Sequence, residues 1–87
     1  MIMTYKVLPL RDDLKTKLKK YGLERKFDKQ ILFLVANPRH PSLNLELMEP
    51  KSRAIYSIRI DRQYRALLRF LSDRETIEII AMTNHYK

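Results

Sequence analysis

The spacing of apolar residues changes at the proline-containing segment 38–41. Over residues 12–36 apolar residues recur at helical spacing, and after the prolines they alternate with polar residues, as in a strand. A single apolar period cannot suit both helices and strands, so the chain must combine a helical part with a sheet part. We therefore expect an α+β fold in which helices cover one face of a sheet.

Two helices are expected before the change of period. Asp12 is the expected N-cap of the first helix, and Gly22 provides its stop signal. A second apolar stripe at helical spacing covers 24–36 and ends just before Pro38, where the residue preceding proline leaves the α region. These segments predict two helices that form an antiparallel hairpin.

Five strands are expected around this hairpin. The first is a short segment at 4–8, and the other four follow the change of period at 43–48, 56–60, 64–70 and 76–82. Polar turns separate the last three of them. The predicted order is β-α-α-β-β-β-β, with the helical hairpin on one face of a mainly antiparallel sheet. The opposite face is then available for function.

The turn at 61–63 predicts which side chains share that free face. If Arg62 is at the centre of the turn, Arg59 lies directly opposite Arg65. Like charges at opposite positions repel, so the pair needs either solvent or a bound anion between them. The planar guanidinium binds phosphate or carboxylate through two hydrogen bonds. The alternative is that both arginines are solvated surface residues.

Glu46 is expected on the same face, because it alternates with the leucines on either side of it. Next to two arginines, its carboxylate is either a simple salt-bridge partner or a general base whose ionised form the arginines favour. His85 and Tyr86 follow the last predicted strand. An imidazole titrates near neutral pH, but a pair at the chain end is more often an unstructured tail than a site.

Length and charge limit the classes of function. The 87 residues indicate one domain over 1–87, too small to enclose a deep cavity. Lys and Arg number 18 against 10 Asp and Glu, for a net charge of +8. This charge favours polyanionic partners: nucleic acid, an acidic protein or an anionic membrane surface.

Composition also indicates what the chain does not use. It has no cysteine and only two, widely separated, histidines, so we expect neither a disulfide nor a metal site, and no cofactor. No apolar run approaches the length of a membrane-spanning helix, and the N-terminal residues do not resemble a signal peptide. We expect a cytoplasmic protein without a membrane partner.

Several segments together resemble the RelE/ParE superfamily of toxins from bacterial type II toxin–antitoxin modules. The resemblance covers nearly the whole chain. It rests on residues 37–43 (Asn-Pro-Arg-His-Pro-Ser-Leu), 55–60 (Ile-Tyr-Ser-Ile-Arg-Ile), 63–66 (Gln-Tyr-Arg-Ala) and 84–86 (Asn-His-Tyr). It implies a RelE-like fold. It does not decide the activity, since the superfamily includes ribosome-dependent mRNA endonucleases, gyrase inhibitors and members of unassigned action.

Within the superfamily, the chain is most similar to the YoeB branch of mRNA interferases. The resemblance implies a catalytic set of Glu46, Arg59, Arg65, His85 and Tyr86. It further implies a toxin that stops translation by ribosome-dependent mRNA cleavage without metal. The implied partners are an acidic antitoxin, mRNA and ribosomal RNA. Unlike the YoeB pattern, the chain has a further residue, Lys87, after the tyrosine; unlike the RelE branch, it has Ser57 where a lysine is expected.

In the implied chemistry, Glu46 is the general base, the two arginines stabilise charge, His85 is the general acid, and Tyr86 stacks on a base. Glu46 and His85 could exchange roles. Three alternatives stay open: a ParE-like non-enzymatic gyrase inhibitor, a catalytically inactive toxin homologue, and a small basic RNA-binding domain. The joint presence of Glu46, His85 and Tyr86 favours cleavage.

Overall fold

Two helices and a five-stranded sheet make up the computed structural model, which describes residues 4–84. The helices are α1 (Asp12–Lys20) and α2 (Glu24–Ala36). The strands are β1 (Lys6–Val7), β2 (Glu46–Leu47), β3 (Tyr56–Arg59), β4 (Tyr64–Phe70) and β5 (Thr76–Asn84). Single 3-10 turns at Pro41–Leu43 and Lys51–Arg53 flank β2. The predicted order of helices and strands is confirmed.

The boundaries of α1 differ slightly from those expected. Asp12 is the first helical residue, whereas Arg11 is the N-cap and makes no capping bond with its side chain. A carboxylate in the first turn still favours the helix, because it lies near the positive end of the helix dipole. The helix stops before Gly22, whose φ of 65° is left-handed and easily adopted only by glycine.

The sheet has the strand order β1-β5-β4-β3-β2. Among the five strands of the described range, only β1 pairs in parallel, with β5, so the sheet is mixed and mainly antiparallel, as expected. The predicted register of the β3–β4 hairpin is confirmed, since Arg59 pairs with Arg65. The Asp61 carboxylate fixes this turn by accepting hydrogen bonds from the backbone N–H groups of Gln63 and Tyr64, both at 2.8 Å.

The pKa of Asp61 reflects this role. Partial burial raises the pKa of its carboxyl group, but the amides of Tyr64 and Gln63 and the nearby Lys26 ammonium outweigh burial. The net effect is a pKa below the ordinary value, so the turn is held by an ionised carboxylate at neutral pH.

The prediction of a strand over 43–48 is wrong in its first half. Residues Pro41–Leu43 form a 3-10 turn, and only Glu46–Leu47 pair as a strand. The turn is stabilised locally: His40 Nδ1 accepts the backbone N–H of Ser42 at 3.2 Å, and Asn44 follows in a left-handed conformation with φ 47°. Leu43 therefore enters the buried core from a turn and not from one face of a strand.

The core lies between the helical hairpin and one face of the sheet. Both layers contribute side chains with no exposed surface: Leu34 from α2, Leu43 from the turn, and Ile58, Leu68 and Ile77 from the strands. Burial of such a side chain contributes about 1.5–3 kcal/mol relative to leaving it in water. Among residues 4–84, no helix is both long and apolar enough to cross a membrane.

Candidate functional site

The sheet face opposite the helices carries a group of polar side chains. Glu46 on β2 pairs directly with Ser57 on β3, and Arg59 pairs with Arg65. Residues at alternate positions of a strand share a face, so Ser57 and Arg59 place all four side chains on the same side. The intervening residue Ile58 is fully buried toward the helices. The expected grouping of Glu46 with the two arginines is thus confirmed.

Arg65 is not the solvated surface residue that the sequence analysis gave as the alternative to anion binding. The residue is only 5% exposed. Its Nε donates to Ser57 Oγ at 2.9 Å, and its Nη2 donates to the carbonyl oxygens of Ser57 (3.2 Å) and Asn44. The same Nη2 lies 3.1 Å from Glu46 Oε1. Arg65 therefore crosses β3 and joins β4 to the residues around β2.

The electrostatics at Arg65 combine three effects. Burial lowers the pKa of its guanidinium, Glu46 raises it, and the neighbouring Arg59 charge lowers it, for a net decrease. Arginine nevertheless stays protonated in proteins, because its ordinary pKa is far above neutral pH. A fixed positive charge therefore lies within the sheet face, paired with a carboxylate whose side chain is 51% exposed.

Arg59 provides the second positive charge and is exposed. It forms no ion pair with any residue in the described range 4–84. Two guanidiniums and one carboxylate leave a net positive site. Such a site can bind a phosphate at the exposed Arg59, next to the buried Arg65 charge and with Glu46 at its edge.

Gln30 holds this region from the opposite side, and the sequence analysis missed it. Its buried Nε2 donates to the backbone carbonyls of Ser42 (3.0 Å) and Arg59 (2.7 Å). One amide group thus joins α2 to the 3-10 turn and to the end of β3. A signal was present in the sequence: Gln30 lies at helical spacing between Phe27 and Leu34, so it is a polar residue on an apolar stripe.

We expect Gln30→Ala to lower the free energy of unfolding by about 1–3 kcal/mol, because it leaves two carbonyls without their hydrogen-bond donor. Urea unfolding followed by circular dichroism measures this change. Lys29→Ala, on the exposed side of the same helix, is the control and should change stability by less than about 0.5 kcal/mol. Equal stability of the two variants would show that the bridge contributes nothing.

Two further polar residues, His40 and Arg69, make contacts of their own. His40 is the N-cap of the turn at Pro41–Leu43, and its ring stacks on Phe33 with centroids 3.9 Å apart. Arg69, on the same strand as Arg65, is exposed and its Nε lies 2.7 Å from Glu78 Oε1. Within residues 4–84 there is no group of three or more side chains suited to hold a metal ion.

His85 and Tyr86 lie outside the described residues. The structure does describe the strand that leads to them. Thr83 of β5 pairs with Arg65, and Asn84 pairs with Tyr64 at the start of β4. The described part of β5 therefore ends at the same end of the sheet as the two arginines.

The fold and face define an α+β class: a helical hairpin on a mixed sheet whose other face presents arginines and a carboxylate. A solved structure described as a YoeB/ParE toxin from Agrobacterium tumefaciens shares this fold, with a TM-score of 0.70. The match covers 97% of this chain and 100% of that chain at 17% sequence identity. The sequence matches no protein-family model and no curated protein. The RelE-like fold expected from the sequence is confirmed.

Proposed function

We propose that this chain is the toxin of a type II toxin–antitoxin module and that it stops translation by cleaving mRNA on the ribosome without a metal ion. The observation that carries the proposal is the Arg65–Glu46 contact of 3.1 Å beside Arg59, on the free face of a fold shared with a YoeB/ParE toxin. A carboxylate beside one fixed guanidinium, that of Arg65, and one exposed guanidinium, that of Arg59, is suited to move a proton and to stabilise a phosphate in one place.

The proposed reaction uses the 2′-hydroxyl of RNA as the nucleophile. Glu46 accepts the proton of this hydroxyl while its oxygen attacks the adjacent phosphorus. The bond from phosphorus to the 5′-oxygen of the next nucleotide breaks, and His85 protonates that oxygen. The products are a 2′,3′-cyclic phosphate and a 5′-hydroxyl, and Tyr86 stacks on a base beside the reacting phosphate.

The arginines stabilise the charge that develops on phosphorus. Arg65 is already fixed by Ser57, Asn44 and Glu46, so its guanidinium needs little reorganisation when the transition state forms. Arg59 is exposed and free to approach the phosphate directly. Glu46 is half exposed, which leaves one side of its carboxylate accessible to RNA.

The basic surface is suited to the proposed partners. Four lysines of α1 are exposed and would contact ribosomal RNA phosphates without reading sequence: Lys15, Lys17, Lys19 and Lys20. The net charge of +8 also favours an acidic antitoxin. Both contacts should weaken as salt increases.

Expression of the chain without a partner tests the proposal. We expect protein synthesis, followed by amino-acid incorporation, to stop while plasmid supercoiling stays normal. Glu46→Gln keeps the shape of the side chain but removes the base, so it should restore most protein synthesis. If supercoiling falls first and the mRNA stays intact, the chain is a gyrase inhibitor and the cleavage proposal is wrong.

A further inference from the structure

A second surface feature lies on the helix side of the sheet, at the end away from the Arg59–Arg65 pair. Tyr5, Tyr56 and Phe70 pack together there and are only half buried. The Tyr5 and Phe70 ring centroids are 6.0 Å apart, and those of Tyr56 and Phe70 are 5.5 Å apart. We call these three residues the aromatic trio.

The trio forms the floor of two adjoining depressions. The larger has a volume of about 560 Å³ and is completed by Ala54, Leu71, Ser72 and Arg74. The smaller has a volume of about 210 Å³ and is completed by Asn37, Pro38, Arg39 and Leu45. Within residues 4–84 no carboxylate side chain lines either depression, whereas Glu24 and Asp28 line a cleft between the helices. The two depressions form one groove with an arginine on each side.

Both arginines are carried by ordered turns. The backbone N–H of Arg39 donates to Asn37 Oδ1 at 3.0 Å, and that of Arg74 donates to the Leu71 carbonyl at 2.9 Å. Both residues are exposed, and neither forms an ion pair with a residue in the range 4–84. The groove thus combines an apolar floor with two positive charges that have no carboxylate partner in the described structure.

We propose that this groove binds an acidic segment of a protein partner. An apolar side chain of that segment packs on the aromatic trio, and carboxylates on either side of it bind Arg39 and Arg74. The identification of this partner as the neutralising antitoxin rests on the proposed function, whereas the chemistry of the groove does not. An extended segment with alternating acidic and apolar side chains satisfies both features.

The geometry of the rings favours a peptide over RNA. Nucleobases bind aromatic side chains by stacking on an open ring face. The planes of Tyr56 and Phe70 are at 84°, and those of Tyr5 and Phe70 are at 67°, so ring edges cover ring faces within the trio. Edge-to-face rings in a concave surface are better suited to an aliphatic or aromatic side chain inserted between them.

The groove and the arginine face lie on opposite sides of the sheet. Tyr56 and Ser57 are adjacent on β3, and successive side chains of a strand point to opposite faces. A segment in the groove therefore leaves Arg59 and Glu46 uncovered. It follows that substitutions in the groove should impair partner binding and leave cleavage intact.

Selection of short random peptides displayed on phage tests the proposal, with the full chain as the target. We expect the selected peptides to have an apolar residue flanked by Asp or Glu. Their dissociation constants are then measured by fluorescence anisotropy for the wild type and for the double variant Arg39→Glu and Arg74→Glu. The double variant should bind the peptides at least about tenfold more weakly than the wild type. The double variant Arg25→Glu and Arg62→Glu has the same net charge and should bind within about threefold of wild type.

Two outcomes overturn the proposal. One is that the selection yields no peptide with an apolar residue flanked by acidic residues, or that the selected peptides bind both double variants with the same affinity. The other is that the Arg39→Glu and Arg74→Glu variant loses binding to oligouridine but keeps binding to the peptides. That result would make the groove an RNA-binding surface. mRNA cleavage measured without peptide separates this proposal from the proposed function. A chain that binds the peptides but never cleaves mRNA disproves only the proposed function.

Discussion

Arg65→Ala is expected to lower the rate of mRNA cleavage by about 10²–10³-fold, the typical cost of removing one donor that stabilises a transition state. The substitution also removes the donors to Ser57 Oγ and to the Ser57 and Asn44 carbonyls. Buried polar groups left without partners cost about 1–3 kcal/mol, so the free energy of unfolding should decrease by that amount. Cleavage is therefore measured at a temperature at which the variant is folded.

Arg69→Ala is the matched control, because Arg69 is on the same strand and the same face. Its guanidinium is exposed and paired with Glu78, and surface pairs contribute at most about 1 kcal/mol. We expect its cleavage rate to stay within about twofold of wild type. Arg65→Lys keeps the positive charge but lacks the planar set of guanidinium N–H donors, and it should be more active than Arg65→Ala. Equal rates for Arg65→Ala and Arg69→Ala would exclude Arg65 from the site.

Deletion of residues 85–87 is expected to abolish cleavage, because it removes the proposed general acid. Loss of such an acid typically costs about 10²–10⁴ in rate. Asn84 is kept, since it belongs to β5 and pairs with Tyr64. The deletion should cost less than about 1–2 kcal/mol in stability, because the last few residues of a chain usually contribute little to a core. Ribosome-dependent cleavage and thermal unfolding are measured on the same preparation.

His85→Ala and Tyr86→Ala separate the two parts of that segment. His85→Ala should reproduce most of the loss in cleavage rate, because it removes the proposed general acid. Tyr86→Ala should weaken RNA binding more than it lowers the cleavage rate of bound RNA. A truncated chain that cleaves at the wild-type rate would exclude both residues.

Features that depend on local sequence were predictable. The helices follow from apolar spacing and from stop signals at Gly22 and Pro38. The pairing of Arg59 with Arg65 follows from the length of one turn. The face on which Glu46 lies follows from strand alternation, whereas its contact with Arg65 required the pairing of β2 with β3. Each of these inferences needed only neighbouring residues or a single hairpin.

Features that depend on distant segments were not predictable. The burial of Arg65 requires the Asn44 carbonyl, which lies 21 positions away in sequence. The bridge from Gln30 reaches Arg59 across 29 positions. The early part of the expected strand at 43–48 failed for a different reason: the alternating leucines matched a strand, but the turn at Pro41–Leu43 and the left-handed Asn44 decided the backbone.

Analysis of the RNA ends produced by the purified chain with ribosomes and mRNA tests the central claim most directly. Attack by the 2′-hydroxyl predicts a 5′-hydroxyl on one fragment and a 2′,3′-cyclic phosphate on the other. A single 2′-deoxynucleotide on the 5′ side of the cleaved bond should abolish cleavage, because it removes the nucleophile. Intact mRNA, or cleavage that persists at the 2′-deoxynucleotide and leaves a 5′-phosphate, would contradict the account.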